Sequence, residues 1–493
     1  MLRSITLLLC PFLLTLTVAV SAQEPVAWSS IQDEPVPLYR TTLPNGLQVW
    51  SQPRPDSESV AALLVIRAGS RYEDRTNNGI SHYVEHMVFT GTERWSEEEI
   101  KDIIDNRGGR WNGSTGLERT TYYAHVAAED VSIALDWLAE VAFHATFPEE
   151  KVDKEREVIF QERWGRYGWL INSLDALGFG YDLYRDIRRA LYPNTSLEMN
   201  IIGEDDSLEM LDRAGLMDYY QHHYTPDNST LIVVGNVTPD EVVAGAKAFF
   251  GDLESGARPP APSTPAIPER GPHEVVVRGP MLTNQVELVT GARTVGRFHP
   301  DRWPLVVLAE VLGEELIEEI RYRQGLVYGV GAYNSLLDDV GYFGVSASSE
   351  HGNRKAILRT INEHVARYRQ GDVDAEAVEE AKAALKGRRA LAMEDNLWRA
   401  RWLANWSSEL PAGENVPDFR AEIDAVRSED LARVVNRYFT PERSFVGMHL
   451  PVVTVASGAW GTGAVVLLAL AAWATHRIWR WNRRRRGEAE GIS

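Results

Sequence analysis

Six prolines fall within residues 255–272, three of them in Pro259-Pro260-Ala261-Pro262. Proline fixes φ and removes a hydrogen-bond donor, so a stretch this rich in it runs extended and builds no core of its own. One uninterrupted core along the whole chain is thereby excluded. The break predicts two domains, residues 36–254 and 273–450, joined by a stiff linker at 255–272. Each is an ordinary domain length.

Both stretches alternate strand and helix signals. In the first, Gly46-Leu47-Gln48-Val49-Trp50, Ala61–Ile66 and Thr120–Val126 read as strands. Asn78-Gly79 breaks the chain before a helical pattern from Ile80. Ser96 with Glu99 forms a capping box ahead of the apolar stripe Ile100, Ile103 and Ile104, and Gly108-Gly109 stops that helix. Helices follow over Ala134–Ala142 and from Pro148 through Arg163. In the second stretch, Tyr342–Ala347 reads as a strand, with helices over Arg354–Tyr368 and Asp374–Arg388. Phe147–Val152 lies over Val373–Val378 without a gap, which suggests a duplicated unit. The fold class expected is α+β, with two similar domains of helices packed on a mostly antiparallel sheet.

The two ends read as addresses. Residues 1–22 have a basic start, an apolar run from Ile5 to Val20 and a small-residue exit, the pattern of a secretory signal peptide. Residues 452–475 carry no charged side chain, and the basic tail 476–493 follows, with Arg477, Arg480 and Arg483–Arg486. This predicts a C-terminal transmembrane helix with a cytoplasmic tail, and a body in the bacterial periplasm anchored to the inner membrane. The formal net charge of −19 argues against a nucleic-acid partner. Cys10 is the only cysteine and lies in the expected leader, which excludes a disulfide scaffold, a cysteine-ligated metal and a cysteine nucleophile.

One cluster carries metal chemistry. His82-Tyr83-Val84-Glu85-His86 is H-x-x-E-H, and on a helix its two histidines share a face. Glu85 stands beside that face, within reach of a metal-bound water. Catalytic zinc takes three protein ligands and keeps a fourth position open. Glu162, in the long helix after Pro148, is the best candidate for the third. Glu155, two turns earlier on about the same face, is placed to buttress a ligand. His222-His223 are adjacent and point apart, so they read as packing.

With these residues in view, the chain resembles the M16 metallopeptidases, the inverted zincins. The resemblance covers about residues 38–450. The spacing of 76 residues from His86 to Glu162, the acid at Glu155, Leu43-Pro44-Asn45-Gly46-Leu47 and Tyr224-Thr225-Pro226-Asp227-Asn228 all match the family pattern. It implies a zinc-dependent endopeptidase with His82, His86 and Glu162 as ligands and Glu85 as general base. Gly109–Thr115 resembles the family's substrate-pairing strand edge, with Asn112 and Gly113 contacting the peptide by strand addition. Gly113 stands where alanine is common in the family, and glycine there is expected to be harmless because the main chain does the pairing. Arg321 and Tyr328 resemble the pair that holds the substrate carbonyl and steadies the oxyanion. The second half has no H-x-x-E-H, and Ala381 and Arg388 fall where Glu155 and Glu162 stand. A chain of this length is half of the family's clamshell, so the resemblance implies a homodimer, or a heterodimer with a paralogous subunit, in which Arg321 and Tyr328 complete the partner's site. The competing reading is a non-catalytic assembly or peptide-binding subunit.

Overall fold

The computed structural model describes residues 37–165, 173–174, 182–282, 284–408, 410, 415–453, 473–475 and 477. The expected leader, residues 1–22, lies outside them. The first half forms a six-stranded sheet in the order β1-β2-β6-β3-β5-β4. Its strands are β1 (Tyr39–Thr42), β2 (Gln48–Pro53), β3 (Ser59–Ile66), β4 (Arg110–Thr115), β5 (Thr120–Ala127) and β6 (Ser229–Gly235). Only β2 and β6 run parallel. The second half forms a five-stranded sheet in the order β7-β11-β8-β10-β9. These strands are β7 (His273–Leu282), β8 (Gln285–Val295), β9 (Val327–Leu336), β10 (Val340–Glu350) and β11 (Ser444–Val453). Again a single pair, β11 with β7, is parallel. The order β7-β11-β8-β10-β9 thus repeats β2-β6-β3-β5-β4, with β4 and β9 as matching open edges.

The apolar run of β3 has a direct cause. Side chains alternate across a strand, and a run apolar at every position must be covered on both faces. Val60, Ala62, Leu64 and Ile66 enter the main core under the helices of the first half. Ala61, Leu63 and Val65 face the other way, against Ala400, Leu403, Ala404 and Trp406. The cover on that face is the helix Asn396–Ala404, from the second half of the chain. The exchange is reciprocal. The helix Leu183–Leu191, from the first half, lays Leu183, Ile187 and Leu191 on Val277, Val289 and Phe445 of the second sheet.

Between the two sheets lies a seam of buried charge. Arg71 reaches Glu118 at 2.7 Å and Asp339 at 2.6 Å, and Arg119 reaches Asp338 at 2.7 Å. Arg297 also pairs with Asp338. The proline-rich segment crosses this region without helix or strand and is bolted down along its length. Pro265 and Ala266 give their carbonyls to Arg293, Thr264 donates to Asp339, and Arg258 donates to the Ser408 carbonyl.

The expected transmembrane helix is corrected. Val452 and Val453 belong to β11, which pairs with β7 as far as Val453 opposite Leu282. Among the described residues no helix is long and apolar enough to cross a membrane. The first two residues of the expected span are thus spent on the sheet. The inner-membrane anchorage, the cytoplasmic tail and the periplasmic placement that depended on that helix fall with it. The rest of 452–475 lies outside the described residues, except Trp473–Thr475.

Candidate metal centre

The helix bearing H-x-x-E-H, α1 (Ile80–Met87), is too short to hold itself together in water. Packing and a borrowed cap hold it. Ile80, Tyr83, Val84 and Met87 are buried in the first core. Its first residue follows Gly79, at φ +95°, and no side chain of its own caps it. The buried carboxylate of Glu73 does so instead. It accepts from the backbone N–H of Gly79 at 2.8 Å and of Ser81 at 2.9 Å, and from Asn78 Nδ2 at 2.8 Å. A carboxylate at a helix N-terminus is also favoured by the helix dipole.

Three more helices follow, α2 (Glu97–Asp105), α3 (Val131–Phe143) and α4 (Glu149–Trp164), and of these α2 and α4 lend side chains to the site. On α4, Val152, Glu155, Ile159 and Glu162 recur at helical spacing and form one stripe. Val152 and Ile159 are buried, and the Val152 carbonyl accepts from the Tyr83 hydroxyl of α1. The same stripe therefore brings the two carboxylates against the two histidines. Glu162 Oε2 lies 3.7 Å from His82 Nε2 and 3.5 Å from His86 Nε2. These three residues form a metal-type group whose ligand atoms all lie within 4.8 Å of one another. With zinc–nitrogen bonds of ~2.0–2.1 Å, neighbouring ligands of a tetrahedral ion stand roughly 3.3–3.4 Å apart, close to the spacing found here. Glu155 Oε2 contacts His86 Nδ1 at 3.3 Å, which leaves Nε2 of that ring turned to the cluster. The buried Nδ1 of His82 has no partner among the described residues.

Electrostatics distinguishes the two rings. Burial, and then His86 beside it, pushes His82 down to about 4, so it is neutral at pH 7 as a metal ligand must be. Burial works against the charged form of His86 too, but Glu155, Glu162 and Glu85 outweigh it and raise that ring. Glu85 is raised by burial, partly offset by a 2.9 Å hydrogen bond from Thr115 Oγ1.

A cavity of about 610 Å³ opens over the cluster. Glu85, Asn112, Gly113 and Thr115 share its wall with the metal-type group, and Phe89, Trp111, Ile201 and Ile202 give it an apolar side. Asn112 is exposed on β4, the last strand of its sheet. Arg321 and Tyr328 do not line this cavity. Arg321 lies in the wide helical turn Ile317–Arg323, and Tyr328 stands on β9 with 55% of its surface exposed. In the second half Ala381 is core, and Arg388 pairs with Glu310.

Gly113 packs directly against the cluster. A Cβ there would come within 2.7 Å of Glu85 Oε1 and 3.0 Å of Phe89 Cε2. Three contributors were also missed. Thr115 was legible as part of its strand motif, though not as a partner of Glu85. Phe89, three residues past His86, shares the histidine face of the turn. Glu73 gives no local signal, because its carboxylate acts across a loop.

Fold and site together define a metallopeptidase-type protein: two related α+β units, one of them carrying an inverted H-x-x-E-H cluster with a carboxylate from a second helix. Residues 48–165 match the family model "Insulinase (Peptidase family M16)", and residues 211–385 match "Peptidase M16 inactive domain". The chain is 30% identical over 412 residues to an uncharacterized zinc protease of Bacillus subtilis, covering 82% of this chain and 96% of that one. It is 28% identical over 420 residues to the mitochondrial-processing peptidase subunit beta of Bos taurus, covering 82% of each. A crystal structure of a protease from Helicobacter pylori superposes with a TM-score of 0.74 at 23% identity, covering 84% of this chain and 99% of the other. The chain belongs to peptidase family M16.

Proposed function

We propose that this chain is a zinc-dependent endopeptidase that hydrolyses peptides or unfolded polypeptides held in extended form. The observation that carries the reading is the convergence of His82 Nε2, His86 Nε2 and Glu162 Oε2, three donors with a cavity in front of them. A closed structural zinc site takes four protein ligands, so three ligands beside an acid favour catalysis over a merely structural ion. The names of the relatives support zinc as the metal. Zinc held by these residues would supply Lewis acidity to a water molecule and to the peptide carbonyl.

The residues of this chain do the rest. Glu85, raised by burial, accepts the proton of the attacking water on its carboxylate and passes it to the leaving amine. Strand β4, at the open edge of its sheet, pairs with the substrate backbone near Asn112 and Gly113. Phe89 and Trp111 exclude water on one side. Glu155 fixes the His86 ring.

Arg321 and Tyr328 stand outside the cavity of their own chain, which favours a dimer in which each protomer lends this pair to its partner. The second copy is the same chain or a metal-less paralogue. Mixing a Glu85→Gln chain with a Tyr328→Phe chain tests this, since restored activity requires complementation between protomers. Failure to restore activity overturns the shared site.

The class itself is tested by incubating the protein with a peptide library, with and without chelator. Cleavage that chelator stops and zinc restores is the expected result. Glu85→Gln is expected to retain zinc and lose at least about 100-fold in kcat, the lower end for a general base. Undiminished turnover by that variant would remove Glu85 from its role. Full binding of peptides without any cleavage would favour the assembly-subunit reading instead.

A further inference from the structure

The second half repeats the strand order of the first, and the repeat extends to the helices that carry the metal-type group. After β8 comes α5 (Arg302–Leu316), as α1 comes after β3, and α6 (Ala375–Ala392) stands in the place of α4. α5 lies against α6 and β9, as α1 lies against α4 and β4. The buried stripe fixes the register of the first pair. Leu308, Val311, Leu312 and Leu316 are core residues with the spacing of Ile80, Tyr83, Val84 and Val88. His82, Glu85 and His86 then fall on Glu310, Gly313 and Glu314. For the second pair, the gap-free match of Phe147–Val152 to Val373–Val378 carries Glu162 to Arg388.

These two alignments are made separately, and they meet in one contact: Arg388 Nη2 pairs with Glu310 Oε2. The depth agrees as well. The side chains of His82 and His86 are 15% exposed and that of Glu310 is 16%, while Glu162 is 46% exposed and Arg388 57%. The hydrogen bond to Glu310, and then the fields of Glu310 and Glu314 against some burial, hold the guanidinium above its ordinary value. Two glutamates four apart on a helix repel unless a cation stands between them. Arginine supplies that cation at every working pH, with N–H donors in a planar fork that suits carboxylates. The polarity of the first half is thus inverted. There, two neutral rings and one carboxylate gather around a place for an ion from outside. Here, two carboxylates gather around a cation of the chain itself. At the position of the base stands Gly313, close against β9, where an added Cβ would lie 3.4 Å from the Ala332 nitrogen.

We propose that the second half keeps the frame of a metal site and that the guanidinium of Arg388 occupies it in place of an ion. The inference rests on the reading of His82, His86 and Glu162 as the metal group given above. It means that the second half closes without metal, and that a chelator acts on the first half alone.

The test uses the full chain and needs no turnover. Glu310→His, Glu314→His and Arg388→Glu are combined, which copies the donor set of the first half into the second. Zinc per chain is measured by elemental analysis after dialysis, with the thermal midpoint followed in parallel. The unmodified chain should hold one zinc and the triple variant two. One zinc in both, with the triple variant folded at an unchanged midpoint, overturns the proposal and leaves the metal reading of the first half standing. No zinc in the unmodified chain overturns that earlier reading instead. If the triple variant does not fold, a crystal structure of the zinc-loaded unmodified chain decides. Superposing α5 and α6 on α1 and α4 should bring the Arg388 guanidinium to within about one zinc–ligand bond, ~2 Å, of the zinc position. A guanidinium lying elsewhere refutes the proposal.

Discussion

The two histidines of α1 are chemically alike and differently placed. His86 has its Nδ1 against Glu155, whereas His82 Nδ1 is buried without a partner among the described residues. The oriented ring is the one whose loss of support should cost most. Glu155→Gln is therefore expected to weaken zinc binding by roughly 10–100-fold, the range for groups that orient metal ligands. Competition with a chromophoric chelator measures this, and an unchanged affinity would show that the contact is incidental. This part of the site was legible in the sequence for a simple reason. His82 with His86, and Glu155 with Glu162, are each pairs within one helix, where spacing alone fixes the shared face. Glu73, and the contacts that Thr115 and Gly113 make with Glu85, were not legible. Each depends on how a loop or a neighbouring strand returns to α1, and no local spacing encodes that.

At the level of elements, β3 shows the same boundary. Its unbroken apolar run declares a strand covered on both faces, but nothing near it says what does the covering. The cover proves to be the helix Asn396–Ala404, more than 300 residues along the chain. Leu403, 1% exposed against that sheet, is the residue to probe. Leu403→Ala should destabilise the protein by about 2–5 kcal/mol, the usual cost of a large-to-small change in a packed interior. Denaturant titration gives the value. A change below about 0.5 kcal/mol would mean that the helix adds little to the fold. The span expected at 452–475 shows the converse error, since its first two residues belong to β11 and no local signal announced the partner strand β7.

At the scale of the molecule, the halves meet through charge as well as apolar surface. Burial raises the carboxyl of Asp339, but hydrogen bonds from Arg71 and Thr264 outweigh it and hold the group below its ordinary value. Asp301, buried beside Tyr438 and Arg433, is likewise held low. A depressed carboxylate adds stability that is present above its unfolded pKa and lost as pH falls through the folded one. The thermal midpoint should thus drop below about pH 4, and Asp339→Asn should flatten that acid limb. An acid limb unaltered by the substitution would remove Asp339 from the seam's account. Glu118, raised by burial and by Asp338, contributes in the opposite sense. The helices traded between the halves carry a wider consequence. Because each sheet keeps one of its roofs in the other half's sequence, a protease nick within 255–262 should leave both fragments eluting together, with the metal still bound. Genes encoding the halves separately would have to be expressed side by side, since either product alone would present a bare greasy sheet to water and clump.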